Sequence, residues 1–465
     1  MTFIQSEFVL FYGLIFALYW GVRHRVAQNL LLLVASAVFY GWVHPWFLLL
    51  LYASALVDYF AGQAMERWPR GRDGILAVSL TANLGLLAYF KYWDFFVESV
   101  AALLRSLGLE TTATPLGILL PAGISFYTFQ SMAYSIDIWR GELRPRRSVL
   151  DYLLAVSFFC HLVAGPIQRA SNLLVQAETP RVFLPAAVRS GFALAVWGAF
   201  KKVVCADTVS PYVDKVYGLE HPSGSMVWAA TLGFTVQILA DFSGYTDIAR
   251  GTARMLGWEL MENFRSPYLA ANPSEFWRRW HISFSTWIRD YLYVSLGGSR
   301  GGFWRVTAVT FATMGLSGLW HGASWNFVAW GLYHAALIVA YRVVSPHVPT
   351  WVKWRPAAVG LMFTFTVFGW FLIRETDPSR ILTVLRLNPF VQTPTERVAA
   401  WSMVAVTILT ALPLVGGLLV QRYVAPRIGG SPWYLPLQTT AWAAMAVCLF
   451  VFQRLDAMNF IYFQF

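Results

Sequence analysis

The sequence predicts an all-α, polytopic integral membrane protein, and three observations carry that prediction. Of 465 residues, 57% are apolar and only 13% charged, whereas soluble domains run nearer about 45–50% and about 25%. Apolar runs recur along the chain at lengths approaching the roughly 20 residues that cross a bilayer as helix. The basic residues fall in short clusters between those runs, as cytoplasmic loops do under the positive-inside rule. Soluble, disordered and fibrous classes are thereby excluded.

Fourteen segments qualify as candidate spans: 7–22, 28–43, 46–64, 75–92, 94–107, 116–136, 150–165, 186–204, 226–245, 304–320, 322–343, 356–373, 398–420 and 436–453. Several are short, and 28–43 is parted from 46–64 only by His44-Pro45, so roughly 11 crossings are expected, plus re-entrant or surface pieces. The first run follows Glu7 and precedes Arg23, which reads as a retained helix rather than a cleaved signal. With Arg23–Arg25 cytoplasmic, successive crossings return Arg67–Arg72 and Arg140–Arg147 to the same side, and the N-terminus lies opposite. The longest polar stretches, near 167–185 and 375–397, are too short for a separate domain. One membrane domain, 1–465, is expected.

The balance of 35 basic against 24 acidic residues gives +11, with 30 arginines and five lysines. A basic chain often binds nucleic acid, but here loop clustering accounts for the charge. Cys160, Cys205 and Cys448 lie far apart in apolar surroundings and read as packing residues, without metal-site or disulfide spacing. No metal is expected.

Composition changes between residues 241 and 300. Asp241-Phe-Ser-Gly-Tyr-Thr-Asp247 sets two acids within an apolar helix, where ionisable groups either line a cavity or pair with a neighbour such as Arg250 or Arg254. Asn272-Pro273-Ser-Glu275 is a helix start: N-cap, first-turn proline, and a carboxylate three residues on. From there an amphipathic helix is expected over 273–296. Trp277, Trp280, His281, Phe284, Trp287, Ile288 and Tyr291 fall on one face, with Arg278, Arg279, Ser285, Thr286, Arg289 and Asp290 opposite. Such a helix is either an interfacial anchor or a wall of a site.

Gly315, Gly318 and Gly322 share a face in Gly315-Leu-Ser-Gly-Leu-Trp-His-Gly-Ala-Ser-Trp325, allowing another backbone or a ligand close approach. His321 stands beside that face. An imidazole suits general base work, and the alternative is a histidine bonded to a nearby carbonyl. His281 alone is weaker evidence. His24, His221, His334 and His347 read as structural or interfacial.

Asp241 to Asp247, the stretch Phe276-Trp-Arg-Arg-Trp-His-Ile-Ser-Phe-Ser-Thr-Trp-Ile-Arg-Asp-Tyr-Leu-Tyr-Val-Ser-Leu-Gly-Gly298 and Gly318-Leu-Trp-His-Gly322 together resemble the membrane-bound O-acyltransferase (MBOAT) family, in the branch of the alginate O-acetylation membrane protein. Leu120 to Tyr127, His161 to Pro166 and the closing Asn459 to Phe465 support the resemblance, which covers essentially the whole chain. It implies a multi-helix enzyme around a central tunnel, with the catalytic core about 115–345, His321 the essential histidine and His281 the second. Asp241, Tyr245, Trp277, Arg278, Arg279, Trp280, Ser285, Trp320 and Trp325 would line the tunnel.

The resemblance further implies a bacterial inner-membrane protein among membrane lipid, with cytoplasmic acetyl-CoA as donor. An extracytoplasmic polysaccharide would be the final acceptor, most simply an alginate-type exopolysaccharide. The chain has no soluble SGNH-like domain, so it would pass the acetyl group to a separate extracytoplasmic protein of that type, beside the polysaccharide synthesis machinery. Cellulose, peptidoglycan and teichoic acid remain open as acceptors. A lipid-linked sugar transporter would show broken helices in two related halves, and no internal repeat is detectable here. A structural scaffold, the remaining reading, would tolerate change at His321.

Overall fold

A computed structural model describes residues 1–112, 114–163, 165–347 and 354–453. The closing motif 459–465 lies outside the described residues, as does Ala164 within the 161–166 motif. Among the described residues the regular structure is entirely helical. Among the described residues seven helices are long and apolar enough to cross a membrane: Phe47–Arg67, Pro69–Ser106, Gly224–Met255, Trp325–His347, Arg355–Arg374, Pro394–Ile428 and Tyr434–Phe452. Ser6–Gly21, Arg25–Gly41 and Val149–Leu162 are shorter apolar helices. The protein is an all-α, multi-pass membrane protein. The preference for helix follows from the solvent: in hydrocarbon each backbone N–H and C=O must be satisfied within its own segment.

Some boundaries differ from those read in sequence. Segments 75–92 and 94–107 form one continuous helix, Pro69–Ser106, in which a π-helical turn at Ala88–Tyr92 carries the chain through without ending the hydrogen-bond ladder. The run 116–136 becomes helical only at Ile124.

The helices form two compact units: Met1–Ser190 with Thr252–Met261, and Gly191–Gly251 with the described part of Glu262–Phe465. In the first, polar side chains bind helices together. Asp58, fully buried, accepts hydrogen bonds from Ser79 (2.5 Å), Ser135 (2.5 Å) and Asn83 (2.7 Å) on two other helices. Asp151 accepts from Arg25 (3.1 Å) and Asn29 (2.6 Å).

The second unit carries the polar island. The helix Gly224–Met255 meets the preceding helix backbone to backbone. A Cβ on Gly198 would lie 2.5 Å from the Gly244 carbonyl oxygen, and one on Gly244 2.8 Å from that of Gly198. Beside this crossing a π-helical turn, Lys201–Ala206, presents two buried lysines. Lys202 Nζ contacts Asp241 at 2.6 Å and Asp207 at 2.7 Å, and Lys201 Nζ donates to Asp247 at 2.7 Å and Ser243 at 2.9 Å. Asp247 also pairs with Arg250 at 3.6 Å. The acids of the 241–247 motif are therefore ion-paired, chiefly by lysines some 40 residues earlier rather than by Arg250 or Arg254.

Further along, Phe303–His321 and Trp325–Val344 form a tight hairpin. Ideal Cβ atoms on Gly318 and Gly331 would each collide with a carbonyl oxygen of the other helix, that of Phe327 and of Met314. On the glycine face read in sequence, Gly318 thus meets another backbone, while Gly322 faces the Phe327 ring and Gly315 the Leu332 side chain. The hairpin ends on Arg342 at the same end as Arg305, with His321 at the turn, and Arg355–Arg374 packs next in line.

Candidate functional site

The site lies within the second unit and begins with a correction to the expected helix 273–296. Its N-terminus forms as read: Asn272 Oδ1 accepts from the Glu275 N–H at 2.8 Å. The Glu275 carboxylate reaches back to the Ala271 N–H (2.8 Å) and pairs with Arg279 (2.7 Å) and Arg355 (2.9 Å). Partial burial pulls the Glu275 pKa up, but the Ala271 N–H and the two guanidinium groups outweigh it and hold the carboxyl below its ordinary range.

The helix then stops at Trp277, and a second one, Ile282–Trp287, leads into the π-helical turn Ile288–Tyr293. Between them His281 adopts φ 44° and ψ 54°, the left-handed region. The break survives because another segment supplies partners. The Ile282 N–H donates to the Asn263 carbonyl (2.9 Å), Ser283 donates through N (3.3 Å) and Oγ (3.0 Å) to Asn263 Oδ1, and the Arg265 N–H takes the Arg279 carbonyl (2.9 Å). Ser285 Oγ caps the Trp280 carbonyl at 2.9 Å. Backbone groups orphaned by the turn are thus satisfied, and the αL residue is held where a regular helix would not put it.

That turn carries His281 into the core. Its ring, fully buried, lies 5.9 Å from that of His321, 4.7 Å from Phe242 and 5.0 Å from Phe284. His321 comes from the hairpin turn and sits among Trp320 (5.0 Å), Phe284 (5.0 Å) and Trp330 (5.2 Å). Both imidazoles thus share one aromatic chamber, contributed by three separate stretches of chain.

Two openings meet this chamber. A narrow void of about 10 Å³ is lined by His321 with Trp280, Trp330, Trp370, Phe327, Ile238 and Ile373, roughly the size of one water. A larger cleft, about 320 Å³, is lined by Trp277, Arg278, Ser285, Phe284, Arg289 and Arg342 among others. Phe284 borders the cleft and stacks on Trp320 at 4.2 Å, so the wall between cleft and histidines is one ring thick. Three guanidinium groups beside hydroxyl and aromatic side chains suit a ligand that is anionic at one end and less polar at the other.

Among residues singled out in sequence, His321, His281, Trp280 and Trp320 meet in the chamber, and Trp277, Arg278 and Ser285 line the cleft. Arg279 is engaged instead by Glu275 and the Arg265 carbonyl. Asp241 and Tyr245 border neither opening; they flank Lys202, whose Nζ is 5.7 Å from the Tyr245 ring. Trp325 is 60% exposed and borders neither opening. Phe242, Trp330 and Arg342 were not singled out for the site by sequence, and Phe284 was read only as part of the aromatic helix face. Phe242 was hidden by its charged neighbours, although a helical wheel turns it about 100° from Asp241 and about 140° from Asp247. No group of three or more His, Cys, Asp or Glu able to hold a metal occurs among the described residues.

Residues 142–376 match the family model of the membrane-bound O-acyltransferases, a span that contains both histidines and both openings. The chain belongs to the membrane-bound O-acyltransferase family. It is 38% identical over 394 residues to the probable alginate O-acetylase AlgI of Pseudomonas aeruginosa, covering 81% of this chain and 72% of that protein. It is 32% identical to the peptidoglycan O-acetyltransferase of Helicobacter pylori, over 78% of this chain and 74% of the relative. To the teichoic acid D-alanyltransferase of Bacillus subtilis it is 26% identical over 54% and 67%. Membership makes this MBOAT chain an acyltransferase, and the chamber and cleft are its candidate acyl-transfer site.

Proposed function

We propose that this MBOAT protein moves an acetyl group from cytoplasmic acetyl-CoA across the bacterial inner membrane for O-acetylation of an extracytoplasmic polysaccharide. An alginate-type exopolysaccharide is the favoured acceptor, reached through a partner of the SGNH type. The observation that carries this reading is the pairing of His281 and His321 at 5.9 Å in one aromatic chamber, a single ring from an arginine-bordered cleft. The resemblance to alginate O-acetylases favours acetyl and exopolysaccharide over the D-alanyl and peptidoglycan chemistries of the more distant relatives.

Arg278, Arg289 and Arg342 attract the phosphates of the donor, leaving its thioester to reach past Phe284. His321 takes the proton of the acceptor hydroxyl as the oxygen attacks the thioester carbonyl carbon. The C–S bond then breaks, and the departing thiolate recovers that proton, so atoms and charge balance without a metal or an acyl-enzyme. His281 orients the reacting groups. Base assistance is worth about 10²–10⁴-fold and positioning contributes further.

The test uses membrane vesicles holding the full chain together with its SGNH-type partner, labelled acetyl-CoA and the cognate polysaccharide fraction. Label should reach an extracytoplasmic acceptor, and His321→Ala should lower the rate at least about 10²-fold at unchanged protein level. Transfer retained in His321→Ala would sink the assignment of the base, and label delivered to peptidoglycan alone would displace the polysaccharide.

A further inference from the structure

The wall between cleft and void contains buried polar atoms that the mechanism above leaves unused. His334, on the helix Trp325–Val344, is 1% exposed, and Trp330, one turn earlier, is likewise 1% exposed. Neither ring nitrogen of His334, nor Nε1 of Trp330, nor Nε1 of Trp277 has a hydrogen-bond partner among the described residues. They belong together. The His334 ring lies 4.9 Å from Trp330 and 5.1 Å from Trp277, and it stacks on Phe276 at 5.8 Å with planes 7° apart. Two of the polar tips converge on one glycine: a Cβ on Gly369 would lie 3.0 Å from His334 Nε2 and 3.5 Å from Trp330 Nε1.

Leaving such groups unsatisfied is costly, about 1–3 kcal/mol each, so native proteins rarely keep several in one place without a use for them. Their position supplies the use. Trp277 borders the arginine cleft beside Phe284 and Trp330 borders the His321 void, and the His334 ring lies against both, so the three rings run from cleft to void. The chemistry is specific: two indole N–H donors and an imidazole that can donate and accept, all flanked by apolar ring faces. That set fits a carbonyl- and amide-bearing chain with methylene spacers. A phosphate would require the guanidinium groups, which stand at the cleft.

We propose that His334, Trp330 and Trp277 form a donor-positioning strip that hydrogen-bonds the amide-bearing pantetheine arm of the thioester donor and aligns it toward His321. This rests on the reading of the donor as a coenzyme A thioester. In that arrangement the arginines take the phosphate end, the strip takes the arm, and the histidine pair takes the reacting carbonyl.

The test is ligand affinity on purified full-length protein, comparing coenzyme A with adenosine 3′,5′-bisphosphate, which carries phosphates but no arm. His334→Phe preserves a flat ring against Phe276 and removes both nitrogens. It should weaken coenzyme A about tenfold, the worth of one hydrogen bond or more, and leave adenosine 3′,5′-bisphosphate affinity unchanged. Should His334→Phe fail to yield folded protein, Trp330→Phe, which removes only the N–H-bearing ring, must show the same arm-selective loss. Equal affinity of variant and parent for coenzyme A overturns the assignment, as does an equal loss for both ligands, which marks His334 as merely structural. Absence of coenzyme A binding to the parent protein would instead remove the donor reading itself.

Discussion

His281 sits at φ 44°, a conformation that costs a non-glycine residue about 1–3 kcal/mol and persists only where surroundings impose it. Asparagine tolerates that region better than most side chains and keeps a hydrogen-bonding head. His281→Asn should therefore retain the parent's thermal stability in detergent while losing about 10–100-fold in acetyl transfer. His281→Val, β-branched, should lose stability as well as activity, by about 2 kcal/mol or more; unchanged melting of the valine variant would argue against an imposed turn. Glu275 offers a separate check at the cleft end. Its carboxyl is held below the usual range, so its contribution to stability is present above its unfolded pKa and is lost as pH falls through the lower folded one. Glu275→Gln should cost about 1–3 kcal/mol near neutral pH and flatten the acid limb of the stability profile.

At the scale of elements, two close crossings build the second unit. Gly318 and Gly331 each face a carbonyl of the opposite helix at a distance no Cβ can occupy. Gly318→Ala should force the hairpin apart, carry His321 away from His281, and abolish activity with a large drop in folded yield. Lys202 tests the other crossing. Lys202→Met leaves Asp241 and Asp207 facing each other in an apolar surround without their shared cation, a change worth about 3–5 kcal/mol, and folded yield should collapse accordingly. These elements also show what sequence reveals. The all-helical membrane class was legible because hydrocarbon selects apolar helices and little else, whereas, among the described residues, only some of the fourteen segments read in sequence form helices long and apolar enough to cross. The N-cap at Asn272 was legible because capping is local. The break at His281 was not, since its backbone partners come from Asn263 and Arg265, and a wheel drawn through the break merges two helices into one. The glycine face of 315–322 was visible, but whether a ligand or a backbone filled it depended on Gly331, which carries no periodic signal. The lysines that neutralise Asp241 and Asp247 were equally out of reach, because ion pairing across a helix crossing leaves no mark on either segment alone.

For the whole molecule, the net charge of +11 has two uses. The clusters Arg23–Arg25, Arg67–Arg72 and Arg140–Arg147 fit the positive-inside pattern that would orient the helices. A smaller part, Arg278, Arg289 and Arg342, borders the cleft. Replacing Arg278 and Arg342 together by alanine should raise KM for acetyl-CoA about tenfold or more with little change in kcat, and increasing salt should raise the parent's KM in the same direction. A fall in kcat at constant KM would place these residues elsewhere in the reaction. Both histidines lie where three stretches of a hydrophobic chain bring imidazole, indole and phenyl rings into contact, in a composition otherwise poor in polar side chains. The central claim is that His321 serves as the base in direct transfer from the thioester. Its most direct test is single-turnover transfer of labelled acetyl from acetyl-CoA to the SGNH-type partner and polysaccharide in sealed vesicles, parent against His321→Ala. The parent should transfer the label without a labelled enzyme intermediate, and the variant should lose at least about 10²-fold in rate; label trapped covalently on the chain, or transfer at the parent's rate without His321, would contradict that claim.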